Sequence, residues 1–476
     1  MKVLDIGNRR ELFVDRMLIE RMDGASLRLH EPVSGGVAIM IDRPWEGPVN
    51  FGACVFHDAD RYLMYYRAIE LGGDRSILCV AVSNDAVTWT KPALGLVSRG
   101  DRTDTNIVAS ACGTADFEYN SAPWVDTRPG VPAAERIKAT TSEPLSGEKH
   151  TSYVDPAGPK RLVFWCSADG FTFRRLDSTP GFVSSLPNSF DGGVTMFWSE
   201  VEQQYALYYR CWSPSGRSVA RTTSKDLIDW SAPVVMTCGD GPAEQFYINN
   251  TQPYFRASHH YIALAARFME GRRVVTDAQV EVIGLKLAHG QFYGNDCSDG
   301  VLLTSRAGST VYDRTFMETF IRPGLGASNW VSRTNYPLTG VLPAGPDRMM
   351  LFVTRHYMQD SWHIERLLLR TDGFASVSAP WAGGELVTKP ITFTGRELEI
   401  NYRTGAPGFV RIEIQDAVGK PIPGYTLNDC PEIIGDEIER VVAWKQGTDV
   451  SRLAGQPVRL RIVMKDGDLF SVRFQS

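Results

Sequence analysis

The chain has 476 residues, 43% of them hydrophobic and 22% charged, enough for one large core and a second domain. A formal net charge of −5, with no basic cluster and no apolar run of membrane-spanning length, excludes nucleic acid and the bilayer as expected partners. The start, Met1-Lys2-Val3-Leu4-Asp5-Ile6-Gly7, lacks a secretory apolar run, so a cytoplasmic location is expected, or else a secreted or periplasmic one with its signal already removed. The eight cysteines are scattered without a CxxC pair, which predicts reduced thiols, with Cys54 and Cys79 as small buried hydrophobes.

Residues 1–44 read as an N-terminal lead-in, with a strand segment at Leu12-Phe13-Val14-Asp15. From 45 to 384, short runs rich in Val, Ile, Tyr, Phe and Trp alternate with Gly, Pro, Asp and Asn clusters, and helix-period patterns are nearly absent. The fold class is all-β. A turn motif recurs as Ser83-Asn84-Asp85 to Trp89, Ser167-Ala168-Asp169-Gly170 to Phe173, and Ser224-Lys225-Asp226 to Trp230. Weaker copies stand at Ser305-Arg306-Ala307-Gly308 and Thr371-Asp372-Gly373-Phe374. Ahead of the turns run apolar strands ending in a base: Tyr62 to Arg67, Tyr205 to Arg210, Tyr261 to Arg267 and Met349 to Arg355, with Arg136-Ile137-Lys138 in the second repeat. Such recurrence predicts a five-bladed β-propeller with blades near 45–100, 118–180, 189–240, 243–318 and 330–380. A two-sheet sandwich is the alternative, and it leaves the repeated turn unexplained. Regular alternation then appears in Leu398 to Tyr402, Val410 to Ile414 and Val458 to Ile462, which predicts a C-terminal β-sandwich over 385–476. Asp466-Gly467-Asp468 lacks the other ligands of a calcium loop and reads as a hairpin turn.

Counting back roughly 20 residues from each strand-ending base reaches the expected start of each blade's innermost strand. The residues there are Glu46, Asn120, Asp191, Glu244 and Asn335, with Asp126 as rival to Asn120. Grouped carboxylates are what glycoside cleavage needs: one protonates the departing oxygen while another activates water or attacks the anomeric carbon. Glu46, Asp191 and Glu244 are therefore the candidate catalytic residues, with Glu244 as acid and Glu46 or Asp191 as base or nucleophile. Trp45, Trp124, Tyr247 and Tyr336 offer rings for sugar faces, and Asn120, Asp126, Asn249, Arg333, Asn335 and His356 offer polar contacts to substrate. Each of these also has a structural reading, as a turn, core or satisfied polar residue. No GxGxxG, P-loop, HExxH or GxSxG pattern is present, and no metal site is expected at His259-His260.

Pro44-Trp45-Glu46-Gly47, Glu135-Arg136-Ile137-Lys138-Ala139, Phe320-Ile321-Arg322-Pro323-Gly324, Leu369-Arg370-Thr371-Asp372-Gly373-Phe374 and Gly435-Asp436-Glu437-Ile438 carry a resemblance over nearly the whole chain. It resembles proteins related to the family 32 and family 43 glycoside hydrolases, five-bladed propellers that cleave mainly fructofuranosides, arabinofuranosides and xylosides. The resemblance implies a central pocket with acids on the inner strands. It also shows departures: those families open the first blade with an Asp-Pro signature, where this chain has Trp-Glu-Gly with Asp42 nearby, and their second-blade Asp is matched by Asn120 or by Asp126.

The expected function is an exo-acting glycoside hydrolase on a terminal furanoside or unusual sugar. A propeller phosphorylase or transglycosylase and a non-catalytic carbohydrate-binding propeller are the alternatives. No cofactor is called for, a structural calcium in the propeller channel being the one allowance, and a homo-oligomer is compatible with the sandwich.

Overall fold

The structure, a computed structural model, describes residues 3–47, 49–69, 77–110, 122–145, 159–287 and 292–476. The chain divides into two compact units, Pro32–Leu342 with Met350–Leu368, and Met1–Glu31 with Pro343–Met349 and Leu369–Ser476.

The first unit is the five-bladed propeller. Blade I pairs Val49–Asp58, Arg61–Ile69 and Ile77–Ser83, and blade II is built on Trp124–Val125, Ile137–Pro144, Lys160–Ser167 and Thr172–Arg175. Blade III runs Val194–Ser199, Gln204–Ser213, Gly216–Ser224, Val234–Val235. In blade IV, Phe246–Ile248 and Thr251–Tyr254 both pair with the long strand Ala257–Met269, whose other edge takes Cys297–Arg306. Blade V orders Leu342–Pro343, Arg348–Arg355 and His363–Arg370, and its outer strand, Val33–Met40, comes from the other end of the chain, with Ile39 opposite Ile364. An early strand seated in the last blade closes the ring and pairs an edge that would otherwise be open.

The middle strands are apolar on both faces because each blade is packed from both sides. In Gln204–Ser213, Tyr205, Leu207 and Tyr209 pack with blade II residues such as Phe164 and Phe182, while Ala206 and Tyr208 pack with Tyr261 and Ala263 of blade IV. The recurrent turn has one geometry in its first three copies. Asp85 Oδ1 accepts the N–H groups of Val87 (2.8 Å) and Thr88 (2.7 Å), Asp169 those of Phe171 and Thr172, and Asp226 those of Ile228 and Asp229. Those two N–H groups hold the Asp85 carboxyl down at about 2. The aromatic residue that ends the motif packs on the preceding blade: Trp89 edge-on to Phe352 of blade V, Phe173 among Leu63 and Tyr65 of blade I, and Trp230 stacked on Phe164 of blade II. The repeat therefore encodes a blade-to-blade staple.

The second unit is a ten-stranded β-sheet around one core, organised by two long strands, Glu397–Asp416 and Val458–Gln475. The first half of the former pairs with the second half of the latter, from Glu397 opposite Gln475 to Thr404 opposite Gly467. After a break in register, Phe409 to Asp416 pair with Lys465 to Val458. Both halves of each strand feed one core, where Ile400, Tyr402, Ile412, Ile462, Leu469 and Phe474 meet.

Four sequence expectations change. The lead-in 1–44 is divided: Leu4–Gly7, Ile19–Asp23 and Ser26–Leu29 pair with sandwich strands, and only Val33–Met40 joins a blade. The expected fifth blade runs too far, since Ala375–Ala379, too small in its side chains to read as a sandwich strand, pairs Val377 with Leu469. The fifth turn copy is a different structure, with Asp372 fully buried in the sandwich unit and accepting from Asn401 Nδ2 (3.1 Å) and Ser471 Oγ (2.8 Å). Asp466-Gly467-Asp468 is no hairpin turn; it marks the bend inside Val458–Gln475. The described cysteines form no disulfide, Cys54 and Cys79 are buried, and Cys112 lies outside the described residues. Among the described residues, no helix is long and apolar enough to cross a membrane.

Candidate functional site

The strand-ending bases explain why counting back from them found acids and amides. In four blades the base reaches the residue so located, or its rival. Lys138 Nζ lies 3.0 Å from Asp126, Arg210 pairs with Asp191, Arg267 Nη1 lies 3.0 Å from Glu244, and Arg355 Nη1 donates to Asn335 Oδ1. Recurrence thus reflects a repeated polar pair beside the inner strands, a structural need met blade by blade. Buried bases require such partners, because an unpaired charge away from water is costly.

Asp191 differs from the other acids in accessibility. Its side chain is 33% exposed, against 0% for Glu46, 0% for Asp126 and 10% for Glu244. It sits just before the blade III inner strand, and its partner Arg210 lies over the ring of Tyr247, 4.4 Å from the centroid. Arg217 and Arg333 lie over the same half-buried ring at 5.5 and 5.3 Å. Arg333 is placed by a left-handed backbone, φ 62°, and donates to the hydroxyls of Tyr293 (3.3 Å) and Tyr357 (3.2 Å). Tyr336 packs against Tyr247 with ring centroids 5.2 Å apart. Close by, burial pushes the Lys160 ammonium down to about 8, with Asp191 opposing the shift and Arg210 adding to it. The cluster joins the inner-strand starts of blades III, IV and V. It offers the partly exposed carboxylate of Asp191, an aromatic ring and several guanidinium donors, with the exposed Glu270 carboxylate 3.6 Å from Arg217.

The remaining candidates are placed elsewhere. Glu46 has no exposed surface, and its carboxylate accepts from the N–H groups of Asp42 (3.0 Å) and Arg43 (2.9 Å), from Lys91 Nζ (2.7 Å) and from the Tyr66 hydroxyl (2.5 Å). Trp45 is buried beside it and donates to Asn106 Oδ1, while Asn106 Nδ2 donates to Tyr66. Neither residue offers a surface to a substrate in this arrangement. Asp126 is equally enclosed, accepting from Tyr205 (2.7 Å) and the Arg128 N–H (3.0 Å). Glu244 is gripped by Arg314 (Nε, 2.9 Å) and Arg267; burial works to raise its carboxyl, but the two guanidiniums hold it below the usual range. An ionised Glu244 is unsuited to the acid role expected of it, because a general acid must keep its proton. Asn335 is buried and donates to the carbonyls of Ser298 and Asn329. His356 shares a hydrogen bond with Ser361 and packs edge-on to His363, burial pushing its imidazole down to about 4. Asn120 lies outside the described residues.

On the propeller axis the inner strands enclose a cavity of about 160 Å³, to which the five blades contribute, in order, Val55, Trp124, Thr195, Gln252 and Thr339. Trp124 is thus part of the channel wall, and Asn249 is buried behind it, accepting from Thr195 and Thr251. Arg210, Arg217, Tyr293 and Tyr357 were missed as site residues. Arg210 was visible as a strand end; Tyr293 and Tyr357 have no motif, and only the fold brings them to Arg333.

These elements define a five-bladed β-propeller with an attached β-sandwich. No protein-family model matches the chain, and no curated protein sequence matches it. Among solved structures it is similar to one described as a glycoside hydrolase, at 13% identity and TM-score 0.46 over 71% of this chain and 92% of that one. It is also similar to an exo-inulinase from Aspergillus awamori, at 12% identity and TM-score 0.39 over 92% and 100%. A family 32 β-fructofuranosidase from Bombyx mori matches at 10% identity and TM-score 0.42 over 94% of each chain.

Proposed function

We propose that the propeller is a glycoside hydrolase, exo-acting on a terminal furanoside or unusual terminal sugar, with Asp191 as the reacting carboxylate. The observation that carries this reading is the exposure of Asp191 beside the Tyr247 ring and the guanidiniums of Arg210, Arg217 and Arg333. Tyr247 would hold the three guanidiniums in place, and their N–H groups would donate to sugar hydroxyls. A site ringed by inner-strand starts suits a chain end better than the middle of a polymer. Glu244, neutralised by the guanidiniums of Arg267 and Arg314, serves in this reading as a structural partner of those bases.

A second reading, saccharide binding without cleavage, is favoured by the complete enclosure of Glu46 and the double-arginine grip on Glu244. Product release from furanosides and oligosaccharides, measured with and without inorganic phosphate, decides among hydrolysis, phosphorolysis and binding alone. Asp191→Asn is expected to lower turnover about a thousandfold or more while sugar binding persists, a loss of roughly 4 kcal/mol in transition-state stabilisation. Full turnover in that variant would remove Asp191 from the chemistry. Binding by the wild type with no product from any substrate would leave the second reading standing.

A further inference from the structure

The sandwich unit carries a cleft of about 540 Å³ at the bend of its two long strands, bordered by Arg28, Ser378, Arg403, Thr404, Asp466 and Asp468. Its volume is that of a small-molecule site. Arg403 Nε and Nη2 both lie 2.8 Å from Asp468 Oδ2, so these two charges satisfy each other. Arg28 and Asp466 do not: among the described residues neither side chain has an ion pair or a hydrogen bond, although both face the cleft. Asp466 is held there by a left-handed backbone, φ 42°, and the bare Cα of Gly405 makes room for its carboxylate, which a Cβ at that position would strike. Next to the cleft residue Pro380, the Trp381 side chain is 63% exposed, with the Lys465 ammonium 4.4 Å from its ring centre.

We propose that this cleft is a carbohydrate-binding site separate from the propeller. An anion would meet Asp466 and Asp468, and a cation would meet Arg28 and Arg403. A neutral polyhydroxylated ligand uses both signs, because vicinal hydroxyls accept from a guanidinium and donate to a carboxylate. The glycine backbone at the bend permits close approach, and the exposed Trp381 ring, one residue beyond the lining residue Pro380 and with Lys465 over it, would stack on a sugar that extends past the cleft. All the cleft residues belong to the second unit, so this site is independent of the reaction assigned to the propeller.

The test is native affinity electrophoresis of the full chain in gels containing arabinan, inulin, xylan or pectin. At least one polysaccharide is expected to retard the wild type, and Arg28→Ala, Asp466→Asn and Trp381→Ala are each expected to weaken that retardation about tenfold, or roughly 1.4 kcal/mol. Asn tolerates the left-handed backbone, and Arg28 and Trp381 are exposed, so the folded state should survive all three. Arg217→Ala, which removes a guanidinium donor from the propeller cluster, should be retarded like the wild type. Absence of retardation in all four gels overturns the proposal, as does unchanged retardation in the three cleft variants. Loss of retardation in Arg217→Ala alone would assign the binding to the propeller.

Discussion

Replacing Glu46 by Gln separates a brace from a catalyst. The change keeps shape but removes the charge that faces Lys91, whose ammonium is itself only 9% exposed. Removing one partner of a buried pair typically costs about 3–5 kcal/mol, because the other charge stays behind without compensation. Here Lys91 retains Asp42 Oδ1 at 2.8 Å and the Met40 carbonyl at 2.6 Å, so the loss should fall at or below the lower end, about 2–3 kcal/mol. Part of it comes from the amide, whose N–H₂ must face either the Tyr66 hydroxyl, already an acceptor for Asn106, or the donors Asp42 N, Arg43 N and Lys91. For a unit of this size that corresponds to a melting transition lowered by roughly 3–4 °C. Thermal unfolding followed by near-ultraviolet circular dichroism, paired with turnover on the same substrate, reads both quantities. The expected result is a lower transition with turnover below that transition within about threefold of wild type. An unchanged transition with turnover reduced about a thousandfold would refute the reasoning and return Glu46 to the chemistry.

Glu244 gives a pH test of the arginine grip. Its carboxyl titrates below the ordinary glutamate value of 4.5, so its stabilisation is fully present above pH 4.5 and is lost as pH falls through the lower folded value. The stability gap between wild type and Glu244→Gln, measured by urea unfolding, should therefore be constant from neutrality to about pH 5 and shrink below that; a gap that widens on acidification would contradict the assigned direction. Phe173→Ala should cost about 3–5 kcal/mol, since its ring is fully buried among Leu63, Tyr65 and Ile137. Phe173→Leu should recover most of that loss, and equal losses in the two variants would argue against the staple.

The sequence by itself determined the propeller, because its signals are local and repeated. The Asp85, Asp169 and Asp226 turns are closed by N–H groups two and three residues ahead, so each copy is written in a few consecutive residues. The strand-ending bases were equally legible. Their partners mark blade position, so the neighbourhoods of Asp191, Tyr247, Arg333 and Tyr336 are legible as inner-strand starts from spacing alone. What each acid can do was decided only by tertiary structure. Equivalent positions in the repeat carry Asp191, one-third exposed, and Glu46, fully enclosed, and the difference lies in Lys91 and Tyr66, which reach Glu46 across the blade. Likewise Arg314, distant in sequence from Glu244, sets the protonation of that carboxyl, and the seat of Val33–Met40 in blade V is a long-range pairing. Periodicity reports which face a side chain takes along its own strand. Exposure and charge depend on neighbours that the chain brings in from far away, and no local pattern encodes them.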